Sequence, residues 1–232
     1  MSFSASLEAL KHYKKIHQLI PNVSKEEEEL LKKQMPVQKI VGFINFDNLQ
    51  INVNENVLIP RYETAELVHK ALEFIKPSSK VLDLCCGSGY IGLTIKQVVN
   101  CDVTLSDIDQ NALKQTIKNA QINNLAVKVV HSNMFKQING CFDVIVINPP
   151  YIPLNTKLGD EVLKFEPHHA LFGGKDGNDY YRIIVKQAPL YLRKNGVLIL
   201  EISQDNYLFL KKHHFAIFND INGKPRIALK RY

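Results

Sequence analysis

Two short stretches hold residues whose types and spacing suit chemistry. In "KVLDLCCGSGYIGLTI", Lys80 to Ile95, Gly87, Gly89 and Gly92 form a G-x-G-x-x-G pattern directly after an apolar run. Gly87 and Gly89 allow a ligand close to the backbone, because no Cβ intervenes and positive φ is open to them. Asp83 stands four residues ahead of the first glycine, and Asp107 follows it by 107 − 87 = 20 residues. An acid at the end of the second strand can accept a hydrogen bond from a ribose hydroxyl. This cradle suits a dinucleotide or S-adenosylmethionine equally, since both carry an adenosine ribose. A bare strand-to-helix turn would explain the glycines and leave the two acids unexplained.

The second stretch, "FDVIVINPPYIP", separates those readings. Val144 to Ile147 predict a buried strand, and Asn148-Pro149-Pro150-Tyr151 follows at its carboxyl end, where open α/β sheets place their ligands. The prolines cannot continue the strand or donate main-chain hydrogen bonds, so nearby carbonyls are held in a fixed geometry. The Asn148 side-chain oxygen is an acceptor and the Tyr151 ring offers a flat face. Together they suit a planar –NH2 group on an amide or a nucleobase. Hydride transfer has no use for such a corner, whereas methyl transfer to nitrogen does. The expected cofactor is therefore S-adenosylmethionine, with S-adenosylhomocysteine as product.

The elements that must position these residues follow from the hydrophobic pattern. Residues 5–34 predict two helices. The first carries Leu7, Leu10, Ile16, Leu19 and Ile20 on one face until Pro21, and the second runs Glu26–Gln34 behind a Ser24/Glu27 capping box. Gln38 to Ile59 alternates in strand fashion, with Asp47-Asn48 as the hairpin turn. Beyond Pro60, β-rich runs recur at Lys80–Leu84, Asp102–Ser106, Val127–Val130, Asp143–Ile147 and Gly196–Ile202, with helical stretches between most of them. That alternation predicts a mostly parallel sheet covered by helices on both faces. The tail adds two strands joined at Asn222-Gly223, an antiparallel hairpin. The expected divisions are a short helical region at 1–37, a β-hairpin linker at 38–59 and a catalytic domain at 60–232.

With 232 residues, 45% hydrophobic and 22% charged, the chain has the composition of an ordinary globular protein. No apolar run approaches a membrane span and the N-terminus lacks a secretory signal, so a cytoplasmic protein without membrane contact is expected. The four Cys contain no C-x-x-C pair and the eight His have no ligand spacing with a carboxylate, so no metal is expected. The net charge of +6 is spread along the chain, with "KPRIALKRY" its clearest cluster.

In these motifs the chain resembles the bacterial release factor glutamine methyltransferases, within the class I S-adenosylmethionine-dependent superfamily. The likeness covers about Gln38 to Arg231. It rests on "VLIPRYETAELV", "VLDLCCGSGYIGL", "LSDIDQNAL", "FDVIVINPPYIP", "FEPHHALFGGKDGNDYYRII" and "NGVLILEI". The resemblance implies a Rossmann-like, mostly parallel seven-stranded sheet closed by the C-terminal hairpin. It implies a cofactor held by Asp83, Cys85, Cys86, Gly87, Ser88, Gly89, Asp107, Met134 and Asn148. Asp107 would take the ribose and Met134 the adenine. It implies that Asn148, Pro149, Pro150 and Tyr151 receive the acceptor, a glutamine in the Gly-Gly-Gln motif of a peptide chain release factor. The chain departs from the usual family pattern at Cys85-Cys86 (usually Gly-Thr), Tyr62 (Pro), Ala65 (an acid) and Asn133 (Asp). Two other functions fit the residues. One is methylation of an exocyclic amine of adenine or guanine in DNA or RNA, for which no recognition domain or aromatic-basic surface is visible. The other is a non-catalytic dinucleotide-binding module, which leaves Asn148–Tyr151 without a role.

Overall fold

The computed structural model describes residues 3–46 and 48–232. Three short helices come first: α1 (Phe3–Ile16), α2 (Lys25–Lys32) and α3 (Val37–Val41). The capping box forms as expected, with Ser24 Oγ accepting from Glu27 N and Glu27 Oε2 accepting from Ser24 N. α1 stops at Ile16, short of Pro21. Gln18 turns left-handed at φ 57°, and the Leu19 N–H folds back to the Lys14 carbonyl. The Lys14 ammonium then reaches the Asn22 carbonyl and the Glu27 carboxylate, which joins α1 to α2.

The strand expected from Gln38 begins only at Phe43. Gly42 sits at φ 91°, and its N–H caps the Gln38 carbonyl, so residues 38–41 finish a helical turn instead. β1 (Phe43–Phe46) and β2 (Leu49–Asn52) then form the hairpin. Asn48 holds φ 66° at its tip, and Asp47 lies outside the described residues.

The main domain continues through α4 (Glu63–Leu72), β3 (Lys80–Leu84), α5 (Tyr90–Val99), β4 (Asp102–Asp107), α6 (Gln110–Ile122), β5 (Lys128–His131) and β6 (Phe142–Ile147). It ends with α7 (Asp160–Phe165), α8 (Asp179–Gln187), β7 (Leu192–Glu201), α9 (Tyr207–Lys212), β8 (Ala216–Asn219) and β9 (Pro225–Arg231). The seven-stranded sheet has the order β5-β4-β3-β6-β7-β9-β8. Its first five strands are parallel, and β9 runs antiparallel to both β7 and β8. The chain moves outward from β3 in one direction through β4 and in the other through β6. That reversal opens a crevice at the carboxyl ends of β3 and β6.

Both faces of the sheet are buried, which is why its central strands are apolar almost throughout. Val81, Leu105, Val144, Val146 and Ile199 pack on the α4–α5–α6 side. Leu82, Leu84, Ile145, Ile147 and Leu200 pack on the side of α8 and α9. The two motifs singled out in the sequence thus emerge side by side from a rigid platform.

Candidate active site

The glycine turn links β3 to α5 and is tied down at three of its N–H groups. Cys86 N donates to the Ser106 carbonyl at 3.0 Å, and Gly89 N to the Cys86 carbonyl at 2.7 Å. Gly87 N donates to Asp107 Oδ2 at 2.9 Å, and Asp109 N to Asp107 Oδ1 at 2.9 Å. Gly87 has φ 55°, and a Cβ there would meet open space. Gly92 is needed for another reason: a Cβ would stand 2.7 Å from Leu105 Cδ2, so this glycine brings α5 down onto β4. Cys85 occupies a left-handed conformation at φ 63°, which costs a residue with a Cβ about 1–2 kcal/mol. Its thiol faces the Met134 sulfur at 3.9 Å, and Met134 is itself left-handed at φ 51°.

A cavity lies over this turn at the sheet's crevice. Cys85 and Gly87 line it from β3, Asp107 and Ile108 from β4, Met134 from beyond β5, and Asn148 and Pro150 from beyond β6. Asn56 to Leu58, His169 and Tyr180 complete the wall. His169 Nε2 lies 3.1 Å from Asp109 Oδ2, joining the segment before α8 to the start of α6. Asn148 is half-buried, and no side-chain hydrogen bond from it to the described residues is present. Of the residues expected to hold a cofactor, Cys85, Gly87, Asp107, Met134 and Asn148 face this cavity. Cys86 and Ser88 are buried behind the turn, and Gly89 caps α5.

Asp83 lies beneath the turn, fully buried. Oδ2 accepts from Gly92 N at 2.8 Å, and Oδ1 has no partner. Burial, with the nearby Asp107 charge adding to it, pushes its carboxyl up to about 8. Burial also raises Asp107, against the backbone hydrogen bonds from Asp109 and Gly87. The turn is therefore floored by a largely protonated acid and rimmed by a hydrogen-bonded one.

The corner after β6 has its own support. Tyr151 OH donates to Glu201 Oε1 at 3.2 Å, and Thr64 Oγ1 donates to Glu201 Oε2 at 2.8 Å. Glu201 is buried at the end of β7, and burial raises its carboxyl. Burial likewise raises the Tyr151 phenol, with Glu201 reinforcing the shift. Glu166 bonds Arg61 at 2.5 Å and accepts from Ile59 N at 3.1 Å. The "RYET" segment is thus tied to Glu201 through Thr64 and to Glu166 through Arg61. Sequence reasoning placed Asn148 to Tyr151 at this edge but missed Glu201 and Thr64. Their partners lie 50 and 137 residues away, beyond any local pattern.

Comparison with known proteins places this geometry in a family. Residues 63–221 match the methyltransferase small domain. The chain is 38% identical over 221 residues to the release factor glutamine methyltransferase of Lactococcus lactis subsp. lactis (strain IL1403), covering 90% of this chain and 80% of that one.

The chain belongs to the release factor glutamine methyltransferase family.

Its fold is shared more widely. A methyltransferase from Pyrococcus furiosus superposes with a TM-score of 0.61 at 17% identity, over 90% of this chain and 98% of that chain. A T. thermophilus 16S rRNA methyltransferase, solved in complex with AdoMet and guanosine, superposes with a TM-score of 0.57 at 19% identity, over 82% of this chain and 50% of that chain. These likenesses establish the class I methyltransferase architecture for this member of the release factor glutamine methyltransferase family. No described helix is long and apolar enough to cross a membrane.

Proposed function

We propose that this protein transfers a methyl group from S-adenosylmethionine to the side-chain amide nitrogen of a glutamine in a peptide chain release factor. The observation that carries the reading is that Asn148 shares one cavity with Cys85, Gly87, Asp107 and Met134. The residues fit the cofactor's chemistry. A carboxylate oxygen that has accepted one N–H retains a lone pair, so Asp107 can still receive a ribose hydroxyl. Ile108, Ala112 and Met134 give the cavity an apolar wall suited to a purine. The open space over Gly87 admits close approach to the backbone.

When bound, S-adenosylmethionine supplies a methyl group on a sulfonium, electrophilic without acid assistance. The glutamine nitrogen is a weak nucleophile because its lone pair is delocalised into the carbonyl. The task of the protein is then alignment, which can supply about 7–11 kcal/mol. The Asn148 side-chain oxygen and the Pro149 carbonyl accept the two N–H bonds of the substrate amide and stabilise the positive charge that develops on its nitrogen. Loss of one such group costs about 3–4 kcal/mol, by analogy with oxyanion-hole deletions. Pro150 fixes the backbone, and Tyr151, anchored on Glu201, provides a flat wall for the amide. The nitrogen–carbon bond forms as the carbon–sulfur bond breaks, and the methylated amide then releases its extra proton to water. No strong base is required. On this reading the chain divides into a short helical region at 1–37, a β-hairpin linker at 38–59 and the catalytic domain at 60–232.

Incubating the protein with labelled S-adenosylmethionine and either release factor or nucleic acid tests this reading. Label in release factor glutamine supports it, and label confined to nucleic acid overturns it.

A further inference from the structure

Three side chains along one face of α6 and its C-terminal cap imitate a β-strand against the hairpin and the segment that follows it. Asn123 accepts from Gln50 N at 3.2 Å and donates to the Gln50 carbonyl at 2.9 Å. Asn119 accepts from Asn52 N at 2.9 Å and donates to the Asn52 carbonyl at 3.0 Å. Gln115 accepts from Glu55 N at 3.0 Å. The spacing of four residues keeps all three on one side of the helix.

Asn119 does one thing that Asn123 does not. Its amide nitrogen also donates to the Ser88 carbonyl, at 2.8 Å, inside the glycine turn. One turn earlier along α6, Thr116 Oγ1 donates to the Gly87 carbonyl at 3.0 Å. Both side chains are fully buried. A trans peptide points its N–H opposite to its carbonyl. Fixing the Gly87 carbonyl on α6 therefore turns the Ser88 N–H away from the helix and sets the orientation of the peptide at the cavity's edge.

We propose that Thr116 and Asn119 are positioning residues for the cofactor turn, and that Asn119 joins the N-terminal hairpin to it by holding the Asn52 and Ser88 carbonyls with one amide. This rests on the reading of the cavity as the S-adenosylmethionine site. The hairpin is then part of the cofactor site's support, although neither of its strands lines the cavity.

The test compares two isosteric variants by calorimetric titration with S-adenosylmethionine. Asn119→Asp and Asn123→Asp each lose a donor to the hairpin, but only the first loses the bond to the turn. Asn119→Asp is expected to weaken binding about tenfold, the scale of one lost hydrogen bond, with Asn123→Asp near wild type. Equal affinities in the two variants would overturn the proposal. If Asn119→Asp does not fold by circular dichroism, Thr116→Val decides: weaker binding supports the assignment and wild-type affinity refutes it. Failure of the wild-type protein to bind S-adenosylmethionine would overturn the cofactor reading, and this inference with it.

Discussion

Asp83 offers a quantitative test of how the glycine turn is built. Its carboxyl is fully buried, with one oxygen on Gly92 N and the other unpartnered. Burial lifts its pKa from the ordinary 3.8 to about 8. The folded protein thus keeps a proton that the unfolded chain has already released, so stability is fullest below about pH 4 and declines as pH rises toward 8. At ~1.36 kcal/mol per pKa unit, the whole window is worth at most about 6 kcal/mol, of which roughly 4 falls between pH 5 and 8. Asp83→Asn keeps an acceptor for Gly92 N and removes the titration. Its buried amide nitrogen lacks a partner, at a cost of about 1–3 kcal/mol. The variant should therefore be less stable than wild type at pH 5 and match or exceed it at pH 8. Urea denaturation followed by circular dichroism measures this, the chain having no Trp. Asp107 and Glu201 are raised in the same direction and titrate in both proteins, so the difference reports Asp83 together with its charge coupling to Asp107. Parallel stability–pH profiles would refute the reasoning.

Three further outcomes are expected. Asn148→Ala should lower turnover at least about a hundredfold while leaving S-adenosylmethionine affinity within a few-fold; a near-normal rate would remove Asn148 from the mechanism. Arg61→Ala leaves the buried Glu166 with only Ile59 N. Because Arg61 is itself partly exposed, the loss should be about 2–3 kcal/mol, below the full range for a broken buried pair. In a thermal melt that is a fall of roughly 4–12 °C, and an unchanged Tm would show the pair to be unimportant. Cys85→Gly removes about 1–2 kcal/mol of left-handed strain and gives back about 0.4–1 kcal/mol through a more flexible unfolded chain. The thiol's packing on Met134 is lost as well, so its melting temperature should stay within a few degrees of wild type, and a fall of more than about 10 °C would contradict the strain assignment.

Much of the fold was legible because its signals are local. The apolar runs at β3, β4 and β6 and the Asn222-Gly223 turn lie where the structure has strands and a hairpin. Gln38–Val41 reads as strand in the sequence because α3, at five residues, is too short to show a helical period, and the deciding feature is the left-handed cap at Gly42. The start of β7 was placed late, at Gly196 rather than Leu192, because polar Arg193, Lys194 and Asn195 interrupt the apolar pattern. At the site, the glycine turn and the Asn148 corner could be named from sequence, since strand ends in this topology must meet at one edge. The supports could not. Glu201 reads as an acid at a strand end and Thr64 as a residue in a helix's first turn, and only folding joins them through Tyr151. Asn119 likewise reads as an ordinary polar position on α6 until its contacts with Asn52 and Ser88 are seen.

The most direct measurement is peptide mass spectrometry of a release factor incubated with this protein and S-adenosylmethionine, with the Asn148→Ala protein in parallel. The account predicts a single added methyl group on the side chain of one glutamine, formed by the wild-type protein and nearly absent with the variant. A release factor that stays unmodified while a nucleic acid in the same reaction gains the methyl group would contradict it.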